Sequence, residues 1–252
     1  MKNEIIKIFP KAEKLFKAAA EDFIQRALAA VAAKNAFTVV LSGGNTAKYF
    51  FDALVAGELD KPKIPWQQIK FFFGDERYVP ANDADSNYHS AQEHLFAKVA
   101  VPAENIYRMP TEFDDPKTAA QHYATTIRQV FNLKNNEFPQ FDLVYLGLGE
   151  DGHTASLMPG SAVLAEKNNQ LVAALWAPQV AMYRITLTPA AINHAANICF
   201  LVTGENKALA VSQTLAGAFN PERYPAQLIR GAHENNIWYL DQAAAKNLEH
   251  SL

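Results

Sequence analysis

Apolar and polar positions along this chain switch repeatedly between a helical period and short, wholly apolar runs. Between Pro10 and Lys34, Leu15, Phe16, Ala19, Phe23, Ala27, Leu28 and Val31 recur at helical spacing in an alanine-rich stretch, which predicts a helix. Phe37–Leu41 is a short β-branched run that predicts a strand ending in Ser42-Gly43-Gly44, and a helix from Thr46 to Val55 follows, stopped near Gly57. Ile69–Gly74 predicts a buried strand leading into a polar loop from Asp75 to Asn87. Beyond it the pattern predicts a helix over Tyr88–Val99, a short strand over Ile106–Met109 and a helix over Lys117–Asn132. The apolar run that begins at Phe141 supplies the next strand. Leu171–Trp176 and Arg184–Thr188 then suggest two strands paired antiparallel, and Pro189 opens a short helix at the position where its missing N–H does no harm. A strand over Asn197–Thr203, a helix over Glu205–Ala216 and a last strand over Ile237–Leu240 complete the pattern. Strands that alternate with helices argue for a mostly parallel sheet covered on both faces. The expected fold is therefore α/β, a three-layer α/β/α arrangement with a small antiparallel excursion. With no repeat, low-complexity tract or linker in view, residues 1–252 read as one domain.

Composition narrows the function classes. Hydrophobic residues at 49% and charged residues at 19% of 252 describe a globular protein with an ample core. A formal net charge of −3 gives no support for nucleic-acid binding, although a few local cations can still hold an anionic small molecule. Cys199 lies inside the apolar run Ile198–Val202, as a core thiol of a reducing compartment does, so disulfides are not expected. No long apolar span argues for a membrane partner, and Met1–Phe9 mixes charge with isoleucine, unlike a signal segment. A cytoplasmic protein is the expectation. The seven histidines are scattered and form no metal set.

The chemistry collects where strands end. Phe141–Leu148 runs into Gly149-Glu150-Asp151-Gly152-His153-Thr154-Ala155-Ser156, and ligands of open α/β sheets bind just beyond the carboxyl ends of their strands. His153, a group that titrates near neutral pH, is thus expected at the mouth of the sheet. Ser42-Gly43-Gly44-Asn45-Thr46 joins a strand to a helix. It fits either an ordinary turn capped by Thr46 or an anion site built from helix-terminal N–H groups. It is neither the lysine-ending phosphate loop nor the three-glycine dinucleotide fingerprint. Gly74-Asp75-Glu76-Arg77-Tyr78-Val79-Pro80 follows another strand, with Ser86-Asn87 closing the loop. Arg77 is the residue of this group best suited to hold an anionic or polarised oxygen. Thr203-Gly204-Glu205-Asn206-Lys207 places Lys207 in a first helical turn, where the helix dipole does not favour a cation. A ligand phosphate or plain exposure would each account for it. Arg184 is a similar candidate.

In this order, and over nearly the whole chain, the segments resemble the family of 6-phosphogluconolactonases and glucosamine-6-phosphate deaminases. The resemblance is most specific in Gly149–Gly160 together with Asp75-Glu76-Arg77. Ala47, Met158 and Gln227 depart from the family's usual residues without removing a candidate catalytic group. Deaminases usually carry tyrosine after Asp-Glu, so Arg77 favours the lactonase branch. The resemblance implies a Rossmann-like sheet shared with ribose-5-phosphate isomerase. It also implies hydrolysis of 6-phospho-D-glucono-1,5-lactone to 6-phospho-D-gluconate in the oxidative pentose phosphate pathway, with no cofactor and no metal. On that reading His153 is the general base toward water, oriented by Asp151 or Glu150. Arg77 or the amides near Gly43-Gly44 hold the oxyanion, and Arg184 and Lys207 grip the phosphate. Ser42, Gly43, Gly44 and Asp75 complete the substrate contacts, with the Gly-Gly loop serving either the phosphate or the lactone end. The oligomeric state stays open between monomer and weak dimer. A sugar-phosphate sensor of this architecture is disfavoured, because the helix before Phe37 leaves no room for a DNA-binding helix-turn-helix.

Overall fold

Short runs of β-branched and aromatic residues assemble into a central sheet in the computed structural model, which describes residues 4–57, 64–165, 170–231 and 236–248. In chain order the strands are β1 (Ile5–Phe9), β2 (Phe37–Leu41), β3 (Ile69–Phe73), β4 (Asp75–Arg77), β5 (Ile106–Tyr107), β6 (Leu143–Leu146), β7 (Val172–Ala177), β8 (Met182–Leu187), β9 (Ile198–Val202) and β10 (Asn236–Asp241). The helices are α1 (Ala12–Lys34), α2 (Gly44–Gly57), α3 (Asn87–His94), α4 (Pro116–Phe131), α5 (Pro189–Asn193), α6 (Ala208–Leu215) and α7 (Gln242–Ala245). Seven strands form one sheet in the order β1-β10-β9-β6-β2-β3-β5, with every pairing parallel. The remaining three form a small antiparallel sheet, β4-β8-β7, in which β7 and β8 pair as the sequence suggested.

Adjacent phenylalanines of β3 show why the architecture has three layers. Successive strand residues point to opposite faces. Phe71 stacks on Trp66, which meets Phe23 of α1, whereas Phe72 meets Phe131 of α4. Helices therefore cover both faces, and β2 and β9 are buried at every position. The helix ends are written locally. Asp115 accepts hydrogen bonds from the N–H groups of Lys117 and Thr118 ahead of Pro116, and Asn132 closes α4 in the left-handed conformation.

Several elements differ from the pattern-based expectation. Ile5–Phe9 is a strand, but it lies at the sheet edge, pairs only with β10 and is half exposed, so its lysine is tolerated. Asp75–Arg77 is strand β4 and not part of a polar loop, because it leaves the main sheet and pairs with β8. The helix expected over Tyr88–Val99 stops at His94, where Leu95 leaves helical geometry to bury its side chain, and a 3-10 turn over Phe96–Lys98 follows. The strand expected over Ile106–Met109 pairs only at Ile106–Tyr107, and α2 starts at Gly44. Glu205–Lys207 forms a 3-10 turn, with the α-helix beginning at Ala208. Cys199 is wholly buried and unbridged, and burial pushes its thiol up to about 12. Among the described residues no helix is long and apolar enough to cross a membrane.

The topology fixes where a ligand site belongs. From β2 the chain moves outward through β3 to β5, and from β6 it moves the opposite way through β9 to β10. The strand order reverses between β2 and β6, so a crevice opens beyond their carboxyl ends.

Candidate active site

A cleft of about 400 Å³ occupies this switch point. Ser42, Gly43 and Gly44 enter it from the end of β2, and Gly147, Gly149 and His153 from the end of β6. Asp75 and Arg77 come from β4, and Asn206 and Lys207 from the turn after β9. Two of the residues singled out from the sequence stand just outside: Asp151 lies behind His153, and Arg184 lies across the small sheet from Arg77. A larger groove of about 690 Å³ runs beside α4 and β7, but among the described residues Lys117 is the only charged side chain on its walls. The chemistry therefore favours the smaller cleft.

The loop after β6 is folded to present one imidazole. The Gly149 N–H donates to the His153 carbonyl at 2.8 Å, and the Gly152 N–H to the Gly149 carbonyl at 3.1 Å. Asp151 Oδ1 accepts from the His153 backbone N–H at 3.1 Å and meets His153 Nδ1 at 2.6 Å. With Nδ1 donating to the carboxylate, Nε2 is the ring atom left to exchange a proton with a ligand. Burial by itself would raise the Asp151 carboxyl, but the hydrogen bond and charge of His153 outweigh it and hold the group below its ordinary value. A Cβ on Gly149 would sit 2.1 Å from His153 Nδ1, so a side chain there and the pair cannot coexist. Glu150, the other carboxylate considered as a partner for His153, instead accepts from Asn206 Nδ2 at 2.7 Å.

The carboxylates after β3 have a different fate. Glu76 is buried, and its two oxygens accept from the backbone N–H groups of Arg77, Asn87 and Tyr88 at 2.8, 2.7 and 2.8 Å, and from Ser86 Oγ at 3.1 Å. It thereby satisfies unpaired N–H groups at the start of α3. Burial pushes its pKa up despite these bonds. Asp75, also buried, accepts from Ser156 Oγ at 2.6 Å and Asn87 Nδ2 at 3.3 Å. Asn87 in turn lies against the β2 loop, and a Cβ on Gly43 would fall 1.8 Å from its Oδ1. Neither the Glu76 staple nor the Asn87 contact was evident in the sequence. The Asp-Glu pair ahead of the Ser86 helix cap was the available signal.

Arg77 and Arg184 are direct cross-strand partners. Arg77 donates through Nη1 to the Asp85 carbonyl at 2.8 Å, yet the Nε atoms of both arginines are buried without a hydrogen-bond partner among the described residues. Burial lowers the pKa of Arg184, and the adjacent Arg77 charge lowers it further. Like charges directly opposite one another cost stability, a cost that a bound anion relieves. Lys207 closes the other side of the cleft, with no side-chain hydrogen bond or ion pair among the described residues.

Comparison with known proteins decides the family. A family model described as glucosamine-6-phosphate isomerases/6-phosphogluconolactonase matches residues 10–238. The chain belongs to this family. It is 39% identical over 219 residues to a 6-phosphogluconolactonase of Synechocystis sp., covering 87% of this chain and 88% of the relative. A 6-phosphogluconolactonase of Nostoc sp. is 34% identical over 246 residues, covering 98% and 99% of the two chains. Among solved structures, that of 6-phosphogluconolactonase from Trypanosoma brucei superposes with a TM-score of 0.86 at 28% identity, over 98% of this chain and all of the other. A monomeric glucosamine-6-phosphate deaminase shares the fold, with a TM-score of 0.80 at 19% identity over 96% and 99% of the chains. The family's two activities thus sit on one sheet arrangement, the mostly parallel one described above. Among the described residues no group of three or more His, Cys, Asp or Glu side chains is arranged to hold a metal ion.

Proposed function

We propose that this chain hydrolyses 6-phospho-D-glucono-1,5-lactone to 6-phospho-D-gluconate with its own side chains, the second step of the oxidative pentose phosphate pathway. The observation that carries the reading is the 2.6 Å Asp151–His153 pair, which faces a cleft walled by cations at the topological switch point. The relatives named 6-phosphogluconolactonase support it. A lactone carbonyl is already activated, so water suffices as nucleophile. His153 Nε2 takes a proton as the water oxygen bonds to C1, and Asp151 stabilises the imidazolium. Arg77 holds the oxyanion. When the C1–ring oxygen bond breaks, the imidazolium returns its proton to the departing ring oxygen. The free acid then loses its own proton to solvent.

The phosphate is assigned to the amino terminus of α2, at Ser42, Gly43 and Gly44. In the strand order β9-β6-β2-β3, this terminus lies between the end of β9, which leads to Lys207, and the end of β3, which leads to the Arg77–Arg184 pair. Lys207 lines the same cleft as this loop, and Arg184 carries a buried Nε without a partner, so these two cations are the ones assigned to the phosphate. Asp75, fixed by Ser156 and Asn87, is placed to accept a sugar hydroxyl. Every α-helix, and every strand but β4, contributes to one apolar core, which supports reading the chain as a single unit. A phosphorylated sugar does not cross a membrane unaided, so the enzyme shares a compartment with its substrate, and the cytoplasm is the compartment proposed. Lactone generated by glucose-6-phosphate dehydrogenase provides the test. Purified protein should accelerate 6-phosphogluconate formation above the spontaneous rate. No acceleration, or ammonia release from glucosamine 6-phosphate, rejects the assignment.

A further inference from the structure

The turn that carries Lys207 is fastened on three sides. The Gly204 N–H donates to both carboxylate oxygens of Asp241 at 3.1 Å. Glu205 pairs with Lys246 at 2.5 Å. Asn206 Nδ2 donates to Glu150 Oε1 at 2.7 Å. The first two fastenings tie the turn to the strand β10 and the segment after α7, away from the cleft. Only the third reaches the loop that holds His153. Glu205–Lys207 is a 3-10 turn with poorer hydrogen-bond geometry than the α-helix that follows. Its backbone holds Lys207 through one bond, from the Lys207 N–H to the Gly204 carbonyl at 3.1 Å, and the side-chain ties add to it.

We infer that Glu150 is a positioning residue that acts through Asn206 to hold Lys207 at a fixed separation from His153, and so tunes selectivity for a phosphorylated lactone. This rests on the assignment of Lys207 to the substrate phosphate. The division of labour between neighbouring carboxylates follows from their directions. Asp151 turns inward to the imidazole, and Glu150 turns across the cleft mouth to the next strand end. Both Glu150 and Asn206 are exposed, so replacing either leaves no buried orphan. The role is thus one of placement between two loops, apart from the proton transfer at His153.

The test uses Glu150→Ala, Glu150→Gln, Asn206→Ala, the Glu150→Ala/Asn206→Ala double variant and Lys207→Ala. For each, kcat and KM are measured on 6-phosphogluconolactone and on unphosphorylated glucono-1,5-lactone, with a thermal melt to verify folding. Glu150→Ala should lower the kcat/KM ratio of phosphorylated over unphosphorylated lactone by about threefold to tenfold, the scale of one hydrogen bond. The change should appear in KM for the phosphorylated lactone, with the pH profile of kcat unmoved. Glu150→Gln, whose amide oxygen accepts the same bond, should recover most of the ratio. Asn206→Ala should match Glu150→Ala, and the double variant should add nothing further. Additive losses in the double variant, or a shifted pH profile in Glu150→Ala, overturn the inference. If Lys207→Ala raises KM but Glu150→Ala leaves the ratio intact, the tie alone is overturned. If Lys207→Ala leaves KM unchanged, the phosphate assignment fails and takes the inference with it.

Discussion

The loop after β6 and the short strand β4 both set carboxylates next to a functional side chain, and burial sends them in opposite directions. Asp151 is about half exposed and pairs with His153 at the cleft, an arrangement suited to moving a proton. Glu76 is buried, accepts bonds from three backbone N–H groups and a hydroxyl, and serves as a fastener for α3. Sequence proximity to a cation or a histidine therefore does not define a catalytic acid. The direction of the side chain and the donors it meets do. The same contrast holds for the cations. Lys207 lines the cleft without a partner among the described residues, whereas Arg184 is buried, stands outside the cleft lining and lies directly across the small sheet from Arg77.

Breaking the β6 loop should have the largest effect. Gly149→Ala places a Cβ where the imidazole stands, and kcat should fall by about 10²-fold or more, the scale of lost proton transfer. A Gly149→Ala enzyme with near-normal kcat would show that the pair is not held as described. On the other side of the comparison, Glu76→Ala should cost about 3 kcal/mol in urea unfolding, because it leaves several buried donors at the start of α3 unsatisfied. A loss under about 1 kcal/mol would mean that the fastener is dispensable. Lys207→Ala and Arg184→Met should then raise KM for the phosphorylated lactone by about tenfold to 100-fold with a smaller change in kcat, as expected for charge-assisted bonds.

The smallest effect concerns pH. The folded-state pKa of Asp151 is depressed, so its contribution to stability is present above the ordinary carboxylate value near 4 and is lost as pH falls through the lowered folded value. With the carboxylate nearly half exposed, screening reduces that contribution to a few tenths of a kcal/mol. Wild type and Asp151→Asn should therefore melt within about 2 °C of each other at pH 7, and the difference should vanish as pH falls through the lowered folded value. A gap of 5 °C or more at neutral pH would mark Asp151 as a structural residue.

The pattern of the chain made the main sheet legible where burial is complete. Ile198–Val202 is apolar throughout, and Phe37–Leu41 is apolar but for Thr38, because both faces are covered. It failed at Ile5–Phe9, where an edge position tolerates Lys7, and at Asp75–Arg77, where the strand partner β8 and the Ser156 hydroxyl that meets Asp75 are both distant in sequence. Ser42, Gly43, Gly44, Asp75, Arg77, His153 and Lys207 converge on one cleft because strand ends gather chemistry whatever the strand order. The choice between Glu150 and Asp151 was not legible. Adjacent residues in a tight turn point apart, and only the turn geometry says which one meets the imidazole.

The central claim is that His153, held by Asp151, activates water for a phosphorylated lactone. The most direct measurement is kcat of His153→Gln on 6-phosphogluconolactone at pH 7, with spontaneous hydrolysis subtracted. A fall of about 10²–10⁴-fold with KM little changed is predicted. Turnover within about threefold of the wild type would contradict it.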